Sequence, residues 1–490
     1  MQRPVLQMPD SRRVVVVGSG PNGLAAAVTL ARAGLEVEVL ERNGWVGGGT
    51  ATREITLPGF RHDLAGAVHP MALASPFFQA FGLTDRIELV VPEVSFGHPL
   101  PDGRTGRGYR DLDRTAAAIG GRDGEAYRDL LRPIVDRIDA VSQFATSPLI
   151  GVPKHLAGPA IYGARSLELG TYLWGLRFRD EVAPAMLIGC SAHTIGQHPR
   201  LAMAGAGLML SATAHAAGWP LPVGGSQAIA DALVADLEHH GGRVRTGVEV
   251  TDLRELDGYD GAVLDVAVPG LLRLAGDRLP AGYRRALKRF KHGNGVSKVD
   301  MALDGPIPWT DPVLRETPTI HLGGTRAQIA DAERQVARGR IPDRPYILLV
   351  QPTVVDPSRA PAGKHVLWAY GHVPYASDHD ITERATAMIE EHAPGFRDLI
   401  LASTATRATD FERAVSPNFA GGDFSSGAVT MTQMIKRPVA SPTPWRTPLD
   451  GVYIASGATS PGPSVHGMSG WWAARTLLDD TNIPLPSLSA

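Results

Sequence analysis

The amino-acid sequence predicts an α/β fold with two kinds of domain. One is a discontinuous Rossmann-type domain with a parallel sheet, and the other is an α+β substrate domain with an antiparallel sheet and apolar helices. Three observations predict this: a glycine-rich turn after an apolar strand near the N-terminus, a later Gly-Gly-helix-strand unit, and strand-like runs between residues 296 and 406. A chain of 490 residues is long enough for two or three structural units.

The N-terminal unit has the pattern of a dinucleotide-binding βαβ motif. The apolar run Val14 to Val17 enters a turn that contains Gly18, Gly20 and Gly23. In such a turn the first glycine permits the bend, the second lets a diphosphate approach the backbone, and the third lets the helix pack on the strand. The helix predicted over residues 22 to 33 directs its N-terminal N–H groups at the diphosphate.

The second strand of this unit ends in an acidic residue. The strand covers residues 36 to 40, and Glu41 follows about 20 positions after the glycines, where a carboxylate can accept both hydroxyls of an unphosphorylated ribose. This favours FAD or NAD over NADP. The Gly47 to Thr50 segment offers a further close backbone approach, which an extended flavin needs and NAD does not, so we expect FAD.

Three segments resemble the phytoene desaturase and carotenoid isomerase group of the amine-oxidase-like flavoproteins. The signature of Gly-Gly followed by Gly-Phe-x-x-Asp is found at residues 48 to 51 and 59 to 63, and the closing Thr-x-Pro-Gly motif is found at residues 459 to 462. The sequence His466-Gly467-Met468 departs from the Pro-Gly of carotene desaturases and is closer to the phytoene-dehydrogenase-like branch. The resemblance implies a discontinuous FAD domain and an oxidoreductase.

The resemblance implies that the middle of the chain returns to the FAD domain. Ser226 can cap a helix that ends at Gly241 and Gly242, followed by strands over residues 243 to 250 and 259 to 268. The resemblance implies that backbone near Val248 and Val250 lies against the adenine.

Strand-like runs at residues 296 to 303, 346 to 355 and 365 to 372, with a helix over residues 381 to 392, predict the antiparallel sheet. A strand at residues 451 to 455 and a helix from about Ser469 close the flavin site. The expected FAD-binding parts are residues 10–75, 221–275 and 426–490, and the substrate parts are residues 76–220 and 276–425.

Composition excludes several classes of function. The net charge of −2 argues against a nucleic-acid partner, and Cys190, the only cysteine, excludes an intramolecular disulfide and flavin disulfide reductases. No cleavable signal is recognised, so we expect a cytoplasmic protein. The uncharged segment from residue 201 to 222 is interpreted as a buried helix at a cavity wall, with peripheral membrane contact left open. Residues 143 to 163 are expected to form a surface loop or a lid over the cavity.

The site residues follow from these motifs. The candidate groups for taking a proton from substrate are His466, ranked first because it lies in the turn expected to touch the flavin ring, and then His69 and Asp63. No metal site is expected, and His193 is interpreted as a polar group of a core or cavity wall. The residues expected to bind FAD are Gly18, Ser19, Gly20, Pro21, Asn22, Gly23, Glu41, Arg42, Gly48, Gly49, Thr50, Ala51, Val248, Val250, Gly457, Gly462, Val465, His466, Gly467 and Met468.

The predicted function is an FAD-dependent dehydrogenase or desaturase. It would remove a hydride from a hydrophobic small molecule, form C=C and pass the electrons to oxygen or a quinone. One alternative is a flavin amine oxidase that forms C=N, for which Lys298 and Lys436 are remote candidates for a flavin-proximal lysine. A redox-neutral flavin isomerase and a non-catalytic flavin-containing scaffold are the others. The sequence sets neither the substrate nor the oligomeric state.

Overall fold

The computed structural model describes residues 12–150 and 156–489. It is an α/β structure built around two large sheets, which confirms the predicted fold class. The strands are β1 (Arg13–Val17), β2 (Glu36–Glu41), β3 (Thr52–Glu54), β4 (Arg61–Asp63), β5 (Leu89–Val90), β6 (Val94–Pro99), β7 (Thr105–Tyr109), β8 (Leu221–Pro222), β9 (Arg243–Thr246), β10 (Gly261–Leu264), β11 (Gly295–Leu303), β12 (Thr319–Leu322), β13 (Ile347–Val350), β14 (His365–Val373), β15 (Ile400–Thr406) and β16 (Val452–Ile454).

The helices lie on the two sheets and in a separate layer between residues 112 and 216. They are α1 (Pro21–Arg32), α2 (Pro76–Phe81), α3 (Leu112–Ile119), α4 (Gly121–Val135), α5 (Ile138–Ala145), α6 (Ala157–Leu169), α7 (Val182–Ala192), α8 (Leu201–Ala216), α9 (Gln227–His239), α10 (Val268–Ala275), α11 (Ala281–Leu287), α12 (Arg326–Val336), α13 (Thr382–His392), α14 (Phe411–Ala414), α15 (Met431–Ile435) and α16 (Met468–Asp480). Short 3₁₀ turns join several of them.

The first sheet is parallel and has the strand order β16-β10-β1-β2-β9. Its strands come from three distant stretches of the chain. Parallel strands are joined by crossover connections, and here two of these connections contain the long segments that form the rest of the protein. β1 is buried from Val14 onward, as a central parallel strand covered on both faces requires. The domain boundaries given above stay a prediction.

Helices α1, α9 and α16 cover one face of this sheet. α1 is buried from Asn22 to Ala31 and packs against both α16 and α9. The contact with α16 is close at Gly470, where an added Cβ would lie 1.8 Å from the carbonyl oxygen of Asn22. The N-terminal and C-terminal parts of the chain therefore fold against each other.

The second sheet has the order β15-β11-β14-β13-β12-β6-β7 and is antiparallel except between β6 and β12. β11 and β14 coincide with the predicted runs. β13 covers only Ile347–Val350 of the run predicted over residues 346 to 355, because Pro352–Val354 forms a 3₁₀ turn. β6 and β7 come from residues 94 to 109, which the sequence analysis did not assign to this sheet. Phe96 on β6 and the buried residues Trp368 and Tyr370 on β14 pack against the helical layer.

Two segments, one predicted as a loop and one as an apolar helix, lie beside the cavity. The expected loop at residues 143 to 163 includes the last turn of α5 and the first half of α6, so the prediction of a loop was wrong there; residues 151–155 lie outside the described residues. The uncharged segment from residue 201 forms α8, which is mostly buried, as expected. None of the described helices combines the length and the apolar character needed to cross a bilayer.

Candidate functional site

One cavity of about 760 Å³ lies at the carboxyl edge of the parallel sheet and extends to the helical layer. All five parallel strands deliver residues to it where they end: Gly18 after β1, Glu41 from β2, Val248 beyond β9, Asp265 after β10 and Gly457 beyond β16. This edge is where open α/β sheets bind ligands. Beyond it, α6, α8 and β14 surround an apolar extension of the same cavity.

The glycine-rich turn brings backbone close to the cavity. Gly20 precedes α1 in extended conformation, and the carboxyl group of Asp265 takes the room left by its missing side chain, since an added Cβ would lie 2.6 Å from Asp265 Oδ2. Gly48, with a φ of +53°, packs on this turn so tightly that an added Cβ would lie 3.1 Å from the Cα of Gly20. The two glycine segments thus pack backbone against backbone, which lets an extended dinucleotide approach the main chain closely.

Glu41 is held at the end of β2 by three hydrogen bonds. Ser19 donates to Oε2 from its N–H at 3.0 Å and from its hydroxyl at 2.7 Å, and the N–H of Asn43 donates to Oε1 at 2.8 Å. The N–H of Val248 donates to the Glu41 carbonyl oxygen at 2.8 Å, which brings residues 248 to 250 to the same end of the cavity. This arrangement fits the ribose and adenine of a dinucleotide.

Most residues predicted to bind the cofactor line this cavity, and a few lie behind it. Those in the lining are Gly18, Ser19, Gly20, Pro21, Asn22, Glu41, Arg42, Gly48, Gly49, Thr50, Val248, Val250, Gly457, Val465 and His466. Gly23, Ala51, Gly462, Gly467 and Met468 are outside the lining. Of these five, Gly23 packs against the Gly18 carbonyl oxygen and Met468 begins α16.

His466 lines the cavity, but backbone groups bind both of its ring nitrogens. The N–H of Met468 donates to Nδ1 at 3.0 Å, so the proton is on Nε2, which donates to the Gly462 carbonyl at 3.2 Å. Burial lowers the pKa of His466 to about 4. In this position the ring caps the N-terminus of α16 and has no lone pair left to accept a substrate proton.

His69 lies in the cavity wall with one nitrogen available. Ser226 donates its hydroxyl to the Gly66 carbonyl at 2.6 Å, so it accepts the Nε2–H of His69 at 2.7 Å. The proton is therefore on Nε2, and Nδ1 has no hydrogen-bond partner within residues 12–150 and 156–489. Burial lowers the pKa of His69 to about 4, which keeps the ring neutral at pH 7.

Asp63 is outside the cavity lining, in a buried ion pair. Its Oδ2 accepts a hydrogen bond from Arg359 at 2.7 Å, and its Oδ1 accepts from the hydroxyl of Thr52 and the N–H of Ser226. Burial alone would raise the pKa of Asp63, but the charge of Arg359 and these hydrogen bonds lower it. An ionised carboxylate that is fully engaged in this way connects segments of the chain and is a poor proton acceptor.

The apolar part of the cavity has an aromatic wall that the sequence analysis missed. Trp368 and Tyr370 extend from β14, with ring centroids 5.2 Å apart, and Phe419 and Phe424 face them from the segment after α14. The alternation on β14 was the available signal, because residues 366, 368, 370 and 372 share one face of the strand. Trp219, Trp471 and Trp472 are outside the lining: Trp219 is buried against Phe96, and the partly buried Trp471 and Trp472 pack on the core beside the parallel sheet.

The titratable residues that line the apolar part include His193, Tyr162 and Tyr370. His193 lines the wall, as expected, and its Nε2 lies 2.9 Å from Nε2 of His321. The cavity lining contains no lysine among the described residues: Lys298 is buried in an ion pair with Asp300, and Lys436 is exposed. No group of three or more potential ligands in this part of the chain could hold a metal ion.

A buried carboxyl group near the glycine-rich turn was also missed. Asp265 lines the cavity directly after β10, and its Oδ2 accepts a hydrogen bond from the N–H of Gly23 at 3.1 Å. Only the pairing of β10 with β1 brings these residues together, so no local sequence signal could have found the contact.

Comparisons with known proteins agree with this geometry. A family model described as an NAD(P)-binding Rossmann-like domain matches residues 16–81. The chain is 25% identical to a mouse protein named pyridine nucleotide-disulfide oxidoreductase domain-containing protein 2, over 95% of this chain and 93% of that protein. It is 28% identical to phytoene dehydrogenase of Streptomyces griseus, over 88% of this chain and 84% of that protein.

Solved structures show the same fold at lower identity. An oxidoreductase from Methanosarcina mazei superposes with a TM-score of 0.60 at 16% identity, over 95% of this chain and all of that one. A variant of putrescine oxidase superposes with a TM-score of 0.59 at 18% identity, over 96% of this chain and 99% of that one.

The parallel sheet and the cavity at its carboxyl edge form a Rossmann-type domain that is assembled from three stretches of the chain. At 25–28% identity, the mouse and Streptomyces griseus relatives support the resemblance to the phytoene desaturase-like group of the amine-oxidase-like flavoproteins.

Proposed function

We propose that this protein is an FAD-dependent dehydrogenase that removes a hydride from a hydrophobic organic substrate and forms C=C. The observation that carries the proposal is the continuity of the cavity, which joins the glycine-rich turn and Glu41 to an apolar compartment with an aromatic wall. Its acidic lining residues, Glu41, Glu249 and Asp265, are all at the dinucleotide end. The apolar compartment therefore suits an uncharged substrate better than a cationic amine.

The residues present fit FAD along the whole cavity. Glu41 would accept the ribose hydroxyls, the α1 N-terminus would hold the diphosphate, and the Val465-His466 backbone would lie near the ring system. Bound FAD would supply hydride acceptance. The helix dipole of α16, whose N-terminus follows Gly467, would favour negative charge at that end of the cavity.

We assign the proton acceptor to His69 in place of His466. Formation of C=C requires loss of a proton as well as a hydride, and a base must reach that proton directly or through water. Nδ1 of His69 carries a lone pair in the cavity wall, and Ser226 fixes the orientation of the ring. The electrons would leave to oxygen or a quinone.

Exposed apolar residues next to the cavity support a lipid surface as the source of the substrate. We call Leu156, Leu167, Tyr172, Leu173 and Leu176 the apolar rim; their exposed fractions are 69%, 56%, 85%, 59% and 78%. Leu167 also lines the cavity, so the rim is continuous with the apolar compartment. We propose that the rim makes peripheral contact with a membrane and that the substrate enters there.

The test begins with the purified protein. We expect a yellow protein that releases FAD on denaturation and whose visible absorbance bleaches under anaerobic conditions with an apolar alkene or terpenoid but not with primary amines. Bleaching separates a dehydrogenase from a scaffold, and a product mass two units below the substrate separates desaturation from isomerisation. A protein that stays colourless after incubation with FAD would contradict the proposal.

A further inference from the structure

Asp265 has a position that the proposed function does not explain. It follows β10, whose last residue, Leu264, lies beside Val17 at the end of β1. The carboxyl group therefore reaches the glycine-rich turn, where its Oδ2 accepts the N–H of Gly23. It lies so close to Gly20 that an added Cβ there would be 2.6 Å from Oδ2.

This position conflicts with a diphosphate as long as the carboxyl group is ionised. Asp265 is 6% exposed, and no arginine or lysine in the part of the chain that the structure describes bonds to it. Glu41 is the charged group that acts on it, while Arg42 and Arg273 line the same cavity without contacting it. A doubly charged diphosphate would thus meet two carboxylates in a site with little compensating charge.

Protonation removes the conflict. A neutral carboxylic acid keeps one oxygen as the acceptor for Gly23 and gains an O–H donor, which can point at a phosphate oxygen. Burial raises the pKa of Asp265 to about 7; the Gly23 N–H opposes this rise, and the charge of Glu41 adds to it. A bound diphosphate would raise it further, since nearby negative charge favours the neutral form.

We propose that Asp265 binds the diphosphate of FAD as a neutral carboxylic acid that donates a hydrogen bond, so that cofactor binding takes up one proton from solvent. The inference rests on the proposed function, because it requires FAD. It makes cofactor affinity dependent on pH. At pH values below the pKa that Asp265 has in the FAD-free protein, the acid is already protonated, so the affinity for FAD does not change with pH. Above it, each pH unit should raise the Kd for FAD up to tenfold.

The experiment measures FAD binding to the apoprotein between pH 5.5 and 9, without any turnover. Titration calorimetry in buffers of different ionisation enthalpy gives both the Kd and the number of protons taken up. We expect the wild-type protein to take up about one proton per FAD at pH 8.5 and almost none at pH 5.5. Asp265→Asn, whose amide keeps an acceptor and a donor, should take up none and should bind at least tenfold more tightly than wild type at pH 8.5.

Asp257→Asn is the matched control, because Asp257 is an exposed carboxylate eight positions earlier in the chain. It should behave as the wild type does. Wild-type binding without proton uptake at pH 8.5 would overturn the inference, and so would an unchanged pH slope in Asp265→Asn, which would assign the proton to Glu41. Absence of FAD binding at every pH would instead refute the proposed function. The wild-type proton count needs no variant and stands if Asp265→Asn does not fold.

Discussion

Two histidines in the cavity wall differ in what their ring nitrogens can do. His69 presents an unprotonated Nδ1, whereas both nitrogens of His466 are bound by backbone. We expect His69→Gln to slow anaerobic flavin bleaching by substrate by about 10²–10⁴-fold, because glutamine can bond to Ser226 but cannot take a proton. The Kd for FAD should stay within a factor of three or so, since the lost step is proton transfer.

His466→Ala is the contrasting variant. It removes an acceptor at the α16 N-terminus, so we expect a loss of about 1 kcal/mol in the free energy of unfolding. Its bleaching rate per bound flavin should match the wild type. If His466→Ala abolishes bleaching while His69→Gln does not, the order of the two candidates is reversed and His466 is the acceptor.

The Asp63–Arg359 pair predicts a pH-dependent stability. Arg359→Met leaves a buried carboxylate without its partner, and we expect a loss of about 3–5 kcal/mol in urea unfolding at pH 7. The double variant Asp63→Asn/Arg359→Met should lose less. Because the folded-state pKa of Asp63 is lowered, the stability it contributes is complete above its unfolded value of about 3.9 and is lost as the pH falls below it.

Urea unfolding and flavin bleaching, measured on the same double variant, test the role of the Asp63–Arg359 pair. The difference in free energy of unfolding between wild type and the double variant should shrink between pH 5 and pH 3, and the double variant should still bleach with substrate. A constant difference across that range would show that the pair contributes no ionisation-linked stability. Loss of bleaching in the folded double variant would return Asp63 to the catalytic candidates.

At the scale of elements, the contact of α1 with α16 allows no side chain at Gly470. We expect Gly470→Ala to cost about 3 kcal/mol or more, because its Cβ would collide with the carbonyl of Asn22. FAD affinity should fall with it, since α1 and α16 both border the cavity. Gly282→Ala, in α11 and without neighbours at its Cβ, should stabilise by about 0.4–1 kcal/mol. Equal stability of the two variants in chemical unfolding would contradict this view of the interface.

Sequence patterns predicted those helices and strands whose ends are marked by nearby residues. β1, α1, β2 and α16 were found because glycine turns and apolar periodicity mark their boundaries. β6 and β7 were not assigned to the second sheet, since pairing of residues 94 to 109 with β12 is a long-range event without a local signal. The loop expected at residues 143 to 163 was inferred from glycine and proline content, yet Gly158 and Pro159 lie in the first turn of α6, where proline is tolerated.

The difference between local patterns and long-range contacts also explains which site residues were predicted. Glycines and Glu41 act near their sequence neighbours, so spacing identified them. Asp265 and the aromatic wall depend on which strands are adjacent, and Asp63 was misjudged as a cavity residue because its partner Arg359 is about 300 positions away. Residue type and position in the motifs therefore ranked the three candidate acids and bases without the hydrogen bonds that distinguish them.

At the scale of the whole molecule, the apolar rim predicts membrane contact. We expect the wild-type protein to float with phospholipid vesicles and the double variant Leu173→Glu/Leu176→Glu to stay in solution with FAD still bound, because two charges oppose burial in the interface. Leu401→Glu is the control, since Leu401 is 47% exposed on β15, away from the rim. If all three proteins remain in solution, or if light scattering shows that the rim joins two copies, the lipid proposal is wrong.

The division of the parallel sheet among distant stretches of chain has a consequence for synthesis. α1 ends at Arg32, but its partner α16 begins only at Met468. Ribosomes add about 5–20 residues per second, so the apolar face of α1 stays without its packing partner α16 for roughly 20–90 s. The nascent protein must shelter that face in the meantime, and cofactor loading has to follow, rather than guide, the early steps of folding.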